Sequence, residues 1–172
     1  MENIRFQNEV LPLKDKLFRL ALRITLNRED AEDAVQETMI RVWKKRDTWD
    51  KIDSMEAFCF TTCRNMAIDK TRRAGNNDTS LEEIKQNGAA PLYAATPEDK
   101  AVNKDRVNVI KTIIDSLPEK QKTAVQLRDF EGKSYKEIAQ IMEITEDQVK
   151  VSIFRARQTI KQKFIETDGY GL

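Results

Sequence analysis

Histidine is absent from this sequence altogether. Without imidazole, neither a Ser-His-Asp or Cys-His nucleophile site nor a His-ligated zinc site can be assembled. Among common enzyme routes only carboxylate–metal chemistry stays open. Cysteine is scarce, two in 172 residues, which cannot staple a secreted scaffold and fits a reducing cytoplasm. Five glycines and four prolines are too few for a loop-rich or all-β protein, so the expectation moves to helix. No apolar run approaches the ~20 residues a membrane span needs, and the opening Met1-Glu2-Asn3-Ile4-Arg5 lacks a signal-peptide core. The chain therefore reads as cytoplasmic, with no direct membrane insertion. Net charge is only +1, from 30 Lys+Arg against 29 Asp+Glu, so any affinity for nucleic acid must lie in how the charges are distributed.

What is present is helical periodicity. Leu13, Leu17, Leu20/Ala21 and Ile24 repeat at helix spacing, as do Ala31, Val35, Met39 and Val42. Ser54 is placed to cap a third helix running to about Arg73, roughly 28 Å long. Residues 74–96 then break the pattern with Gly75, Gly88, Pro91 and the run Asn76-Asn77-Asp78-Thr79-Ser80. A structureless loop of more than ~15 residues is uncommon inside a compact domain. The stretch therefore reads as a flexible linker between two small domains, 1–73 and 97–172. Thr96-Pro97-Glu98-Asp99 supplies an N-cap, a proline for the first turn and two acids suited to the helix dipole. Val102, Val109/Ile110 and Ile113/Ile114 carry that helix to Leu117, and Pro118 starts another that should stop near Gly132. Two capping boxes follow, Ser134-Tyr135-Lys136-Glu137 and Thr145-Glu146-Asp147-Gln148, with Met142-Glu143-Ile144 at the turn between them. Two short helices so joined make a helix-turn-helix. With no strand pattern or repeat, the predicted fold is all-α.

Three helix faces stand out on a helical wheel. In the last helix Val149, Ile153, Ala156, Ile160 and Phe164 form a core stripe, while the opposite side carries Val151, Phe154, Arg155 and Gln158, flanked by Lys150, Arg157 and Lys161. Cations and amides address phosphates and base edges, and apolar groups meet thymine methyls, as a major-groove reader requires. A packing face in an oligomer is the alternative. In the second helix Asp33, Gln36, Glu37 and Ile40 share a side opposite Val35, Met39 and Val42. A solvated face explains the acids, whereas an exposed Ile40 among them favours a basic partner. In the third helix Thr61, Thr62, Asn65, Asp69 and Arg72 take one side, with Trp49 and Phe58 just upstream. Such a mixture suits unstacked single-stranded bases. Cys59 and Cys63 are four apart, but with no His or third Cys to complete a metal site they read as small buried hydrophobes.

At this point the residues resemble a known family, the bacterial RNA polymerase sigma factors of the extracytoplasmic-function type, over about Leu17 to Lys163. Asp30-Ala31-Glu32-Asp33-Ala34-Val35-Gln36-Glu37-Thr38 followed by Arg41-Val42-Trp43 is similar to the part of sigma domain 2 that binds the polymerase clamp helices. Arg64-Asn65-Met66-Ala67-Ile68-Asp69 resembles the arginine-asparagine…aspartate signature of the helix that reads the −10 element. Ile138-Ala139…Val149-Lys150…Arg155-Ala156-Arg157 resembles sigma domain 4, whose second helix reads the −35 element. Glu143 stands where the family often has glycine, so the turn must hold a side chain at a left-handed strain of about 1 kcal/mol. Val151 and Ser152 replace residues that are often small and polar and often basic, respectively, which bears on the −35 sequence rather than on the role.

The resemblance implies a two-domain, sigma domain 2-like and domain 4-like protein that binds core RNA polymerase at its clamp helices and flap and directs promoter-specific initiation. It implies core binding by Asp33, Gln36, Glu37 and Ile40, −10 recognition by Trp49, Thr62, Asn65, Asp69 and Arg72, and −35 recognition by Lys150, Val151, Phe154, Arg155 and Gln158. It also implies no catalysis and no cofactor, and it admits an anti-sigma factor as a partner. Element centres ~24 base pairs apart lie ~80 Å apart, whereas a linker of about 23 residues spans roughly 26 Å relaxed. The expectation is a free chain that is compact or mobile, splayed open on the polymerase. A two-domain transcriptional regulator acting without polymerase is the rival reading. A Mg²⁺-dependent pyrophosphohydrolase built on Glu29, Glu32, Asp33 and Glu37 is a weaker one, since it needs carboxylates from a second helix.

Overall fold

The computed structural model describes residues 1–76 and 101–168. Most of the expected linker and the Thr96-Pro97 helix start fall outside the described residues. The chain opens with a short helix α1 (Glu2–Arg5), which runs on through a π-helical turn (Phe6–Val10) and a 3-10 turn (Leu11–Leu13) into α2 (Lys14–Thr25). The helix α2 ends where Leu26 turns left-handed, φ 54°, its amide donating to the Leu22 carbonyl at 2.8 Å. Asn27 then caps α3 (Arg28–Lys44), its side chain accepting from the Asp30 amide at 3.0 Å. A 3-10 segment (Arg46–Lys51) leads to α4 (Met55–Asn76). The cap expected at Ser54 is there, since its Oγ accepts from the Ala57 amide at 3.1 Å. The helix α4 continues past Arg73 and takes up residues assigned to the linker. A helical glycine such as Gly75 costs only about 1 kcal/mol, too little to end a long helix.

The second half holds α5 (Ala101–Asp115), α6 (Glu119–Val125), α7 (Tyr135–Met142) and α8 (Glu146–Asp168). Pro118 caps α6, which widens into a π-helical turn at Gln126–Phe130 that the residue pattern does not signal. Gly132 ends it at φ +69°, a left-handed conformation that glycine adopts without strain. Both expected N-caps form, and the second completes a reciprocal capping box. Ser134 Oγ accepts from the Glu137 amide at 3.1 Å, and Thr145 and Gln148 exchange reciprocal bonds of 2.9 and 3.1 Å. Between them Glu143 sits at φ 58°, the left-handed turn position expected of it.

The predicted apolar stripes converge. Leu17, Leu20, Ala21 and Ile24 of α2 pack with Ala31, Ala34, Val35 and Val42 of α3 and with Cys59, Phe60, Cys63 and Ala67 of α4. Each large side chain buried in this way contributes about 1.5–3 kcal/mol. Cys59 and Cys63 are free, fully buried members of this core, and burial pushes both thiols up to about 12. The apolar cluster does not stop at the first half. Leu127, Ile138, Ile141 and Met142 belong to it, because α7 packs on α4 and α6 on α2. A smaller cluster of Ile114, Leu117, Val125 and Ala156 ties α5 and α6 to α8. Among the described residues no helix is long and apolar enough to cross a membrane.

Candidate nucleic-acid interface

The helix α8 is the second helix of the helix-turn-helix. The Thr145–Gln148 box starts it one tight turn after α7, and Val149, Ile153 and Ala156 are buried along one stripe. The far side is left to solvent. Val151 is 46% and Phe154 62% exposed there, beside exposed Lys150, Arg155 and Gln158. An apolar pair of this kind on an otherwise charged surface is costly to leave in water unless a partner covers it. Lys150 holds its ammonium 5.7 Å from the Tyr135 ring, which also stacks under Arg128 at 4.3 Å. Arg157, expected to flank this face, is instead engaged by Asp129 at 2.5 and 3.3 Å. Its pairing partner lies in the π-helical turn, which no local pattern announces.

On α3, Asp33, Gln36, Glu37 and Ile40 are all exposed, Ile40 at 55%, and stand opposite buried Ala34, Val35, Thr38 and Val42. Thr38 can be buried there because its hydroxyl donates to the Ala34 carbonyl at 2.6 Å. The structure adds a residue that sequence reasoning missed. Lys70 of α4 reaches Glu37 at 3.1 Å with most of its own side chain covered. That pair sits 33 residues apart in sequence and leaves no local trace.

On α4, Asn65, Asp69 and Arg72 are exposed along one face, as the spacing predicts. Two other residues assigned to −10 recognition are not accessible. Thr62 is only 9% exposed, and its hydroxyl is spent on the Phe58 carbonyl at 2.8 Å. Trp49 is 2% exposed, its indole N–H donating to the Val42 carbonyl at 3.1 Å. Phe6 stacks near-parallel on it at 6.4 Å and Trp43 meets it edge-on at 6.1 Å. Trp49 is a core pillar that anchors the N-terminal turn, not a ready base-stacking surface. Thr61 also leaves the open face, donating to the Ile141 carbonyl of α7 at 3.0 Å. Among the described residues no three His, Cys, Asp or Glu side chains group as a metal site would need.

A chain whose described residues form helices without strands, with an acidic-apolar face on α3 and an exposed basic-apolar face on the second helix of a helix-turn-helix, has the layout of a transcription initiation factor. Comparison with known proteins makes that specific. The family model for Sigma-70 region 2 matches residues 10–77, and that for Sigma-70, region 4 matches residues 108–160. The ECF RNA polymerase sigma-E factor of Haemophilus influenzae is 29% identical over 165 residues, covering 92% of this chain and 83% of its own. The ECF RNA polymerase sigma factor SigW of Bacillus subtilis is 28% identical over 156 residues, with 87% and 83% covered. In fold, the chain is similar to the sigma factor RpoE crystallised with the anti-sigma factor NepR from Bartonella quintana. The TM-score is 0.70 at 24% identity, with 92% of this chain and 95% of that one covered. The chain belongs to the ECF family of RNA polymerase sigma factors.

Proposed function

We propose that this sigma factor divides its work among three faces. Asp33, Gln36, Glu37 and Ile40 on α3 dock on the clamp helices of core RNA polymerase, with Ile40 as the apolar centre and the acids as steering charges. Asn65, Asp69 and Arg72 on α4 receive the −10 strand once it opens. Lys150, Val151, Phe154, Arg155 and Gln158 on α8 read the −35 duplex. The chain acts as a specificity subunit in the cytoplasm and leaves catalysis to the polymerase. Domain boundaries close to 1–73 and 97–172 are part of the same reading.

Physically, α8 supplies duplex affinity through phosphate and base-edge contacts. Capture of unpaired bases by α4 offsets the few kcal/mol that unstacking a base costs, and so pulls the opening equilibrium forward. One observation carries the reading. Phe154 and Val151 are exposed among bases and an amide on the second helix of a helix-turn-helix, directly opposite a fully buried stripe. A regulator acting without polymerase needs no such face on α3. The test is run-off transcription with purified core polymerase, with and without this chain, on genomic fragments. Chain-dependent transcripts from discrete start sites are expected, and core enzyme equally active without the chain would overturn the reading.

A further inference from the structure

The two halves of the chain are held together by polar bonds as well as by the shared apolar cluster. Arg64 of α4 grips Glu119 at the start of α6 through two bonds of 2.8 and 3.0 Å, with most of the guanidinium covered. Arg23 of α2 pairs with Asp115 at the end of α5 at 2.8 Å and donates to Gln126 at 2.9 Å. Arg19 of α2 makes two bonds to Glu131, at 2.7 and 3.0 Å, and that carboxylate is almost fully buried. Lys122 donates to the Ile24 carbonyl at 3.3 Å, capping the end of α2, and Thr61 reaches the Ile141 carbonyl. Lys133 pairs with Glu56 across the same seam. Three guanidinium groups from the first half thus meet three carboxylates from the second.

From this geometry we infer that the free chain is latched shut, and that the Arg64–Glu119, Arg23–Asp115 and Arg19–Glu131 pairs are the latch. Its consequence for transcription rests on the sigma reading above; the latch itself rests on the contacts. A compact chain of this length has a radius of gyration near ~16 Å and is about 40 Å across. Promoter elements ~80 Å apart on B-form DNA cannot both be reached by a body of that size. The face of α8 and the exposed side of α4 are each open to solvent in the closed form, so one element at a time is accessible and two are not. Engagement of both elements therefore requires these pairs to part. Binding pays for that opening through the fraction of chains that are already open.

Small-angle scattering on the full chain tests the latch. Wild type should give a radius of gyration near ~16 Å, and a chain opened on its linker should exceed ~20 Å. Glu119→Arg and Arg64→Glu each set like charges face to face in a nearly covered site, so both should expand the chain by several ångströms. The double exchange Arg64→Glu/Glu119→Arg should restore compactness. Because the swap carries both substitutions, its recovery shows that the single variants failed by charge and not by misfolding. Circular dichroism of all three should show helix content close to wild type. An extended wild type, single variants as compact as wild type, or a double exchange that stays open would each overturn the latch. Run-off transcription on wild type separates the two readings. A chain that closes as described but drives no transcription removes the sigma reading alone. One that drives transcription but is extended when free removes the latch alone.

Discussion

Arg155 and the thiols mark two extremes of what a single side chain does here. Arg155 projects into solvent from α8 beside Phe154, so Arg155→Ala should leave the fold and core association intact. It should cost about 1–3 kcal/mol of upstream duplex affinity, the worth of one good base contact, measured by fluorescence anisotropy at fixed salt. Asp33→Lys with Glu37→Lys should do the reverse, abolishing association with core polymerase in a pull-down while sparing duplex binding. Equal loss of both activities in either variant would contradict the division of labour. Cys59 and Cys63 lie at the other extreme, free thiols packed in the core. Burial raises both thiols from 9.0 to about 12, so neither should react with an alkylating reagent at pH 8 until the chain unfolds, as mass spectrometry would show. The sign for stability follows. Between pH 9 and about 12 the unfolded chain loses these protons while the folded chain keeps them, so stability falls as pH rises through that window. Residue identity foretold the thiols and the α8 face well, because burial at helix spacing fixes both. It misled at Trp49 and Thr62. The Thr62 hydroxyl turns back onto the Phe58 carbonyl of its own helix, whereas burial of the Trp49 ring depends on a distant partner, Phe6, 43 residues before it.

Among the elements, the α7–α8 turn and α4 carry the sharpest expectations. Glu143 holds a left-handed backbone, φ 58°, with a side chain attached. Glu143→Gly should relieve about 1 kcal/mol of strain and raise the melting temperature by a few degrees, with no change in duplex affinity. A lower melting temperature would show that the Glu143 side chain earns its place by some contact the backbone does not reveal. On α4, Asn65→Ala should slow opening of promoter DNA, followed by permanganate footprinting, yet leave initiation on a pre-melted template near wild type. Equal defects on both templates would remove Asn65 from base capture. Helix boundaries were legible where the expected caps declare them, at Ser54, Ser134 and Thr145, whereas the Asn27 cap of α3 went unread. The π-helical turn at Gln126–Phe130 was not legible, since a single inserted residue in a helix leaves the apolar spacing nearly unchanged. It is also the turn that carries Asp129 to Arg157 and leads into Glu131 at the seam.

At the scale of the whole molecule, the seam between the halves was the least legible feature. Each of its ion pairs joins residues that are 55 to 112 positions apart, and no periodicity spans such distances. Lys122 lies on this seam, and burial lowers its proton affinity from the usual 10.5 against the partial support of Asp115 and Glu119. Below its lowered value the cost of burying the charge is present in full. Between that value and 10.5 the unfolded chain binds more protons than the folded one, so stability rises with pH on this group's account. Urea unfolding of wild type minus Lys122→Met, from pH 8 to 10.5, should isolate that positive slope, the thiol contribution cancelling in the difference. A flat difference would place Lys122 in water. The aromatic trio has a practical corollary for every such measurement. Both tryptophans, Trp43 and Trp49, belong to the first half, and the second half has none. Intrinsic emission is therefore a one-sided thermometer: it reports melting around Phe6 and Val42 and stays dark when α8 meets DNA, so docking there must be followed by an attached dye.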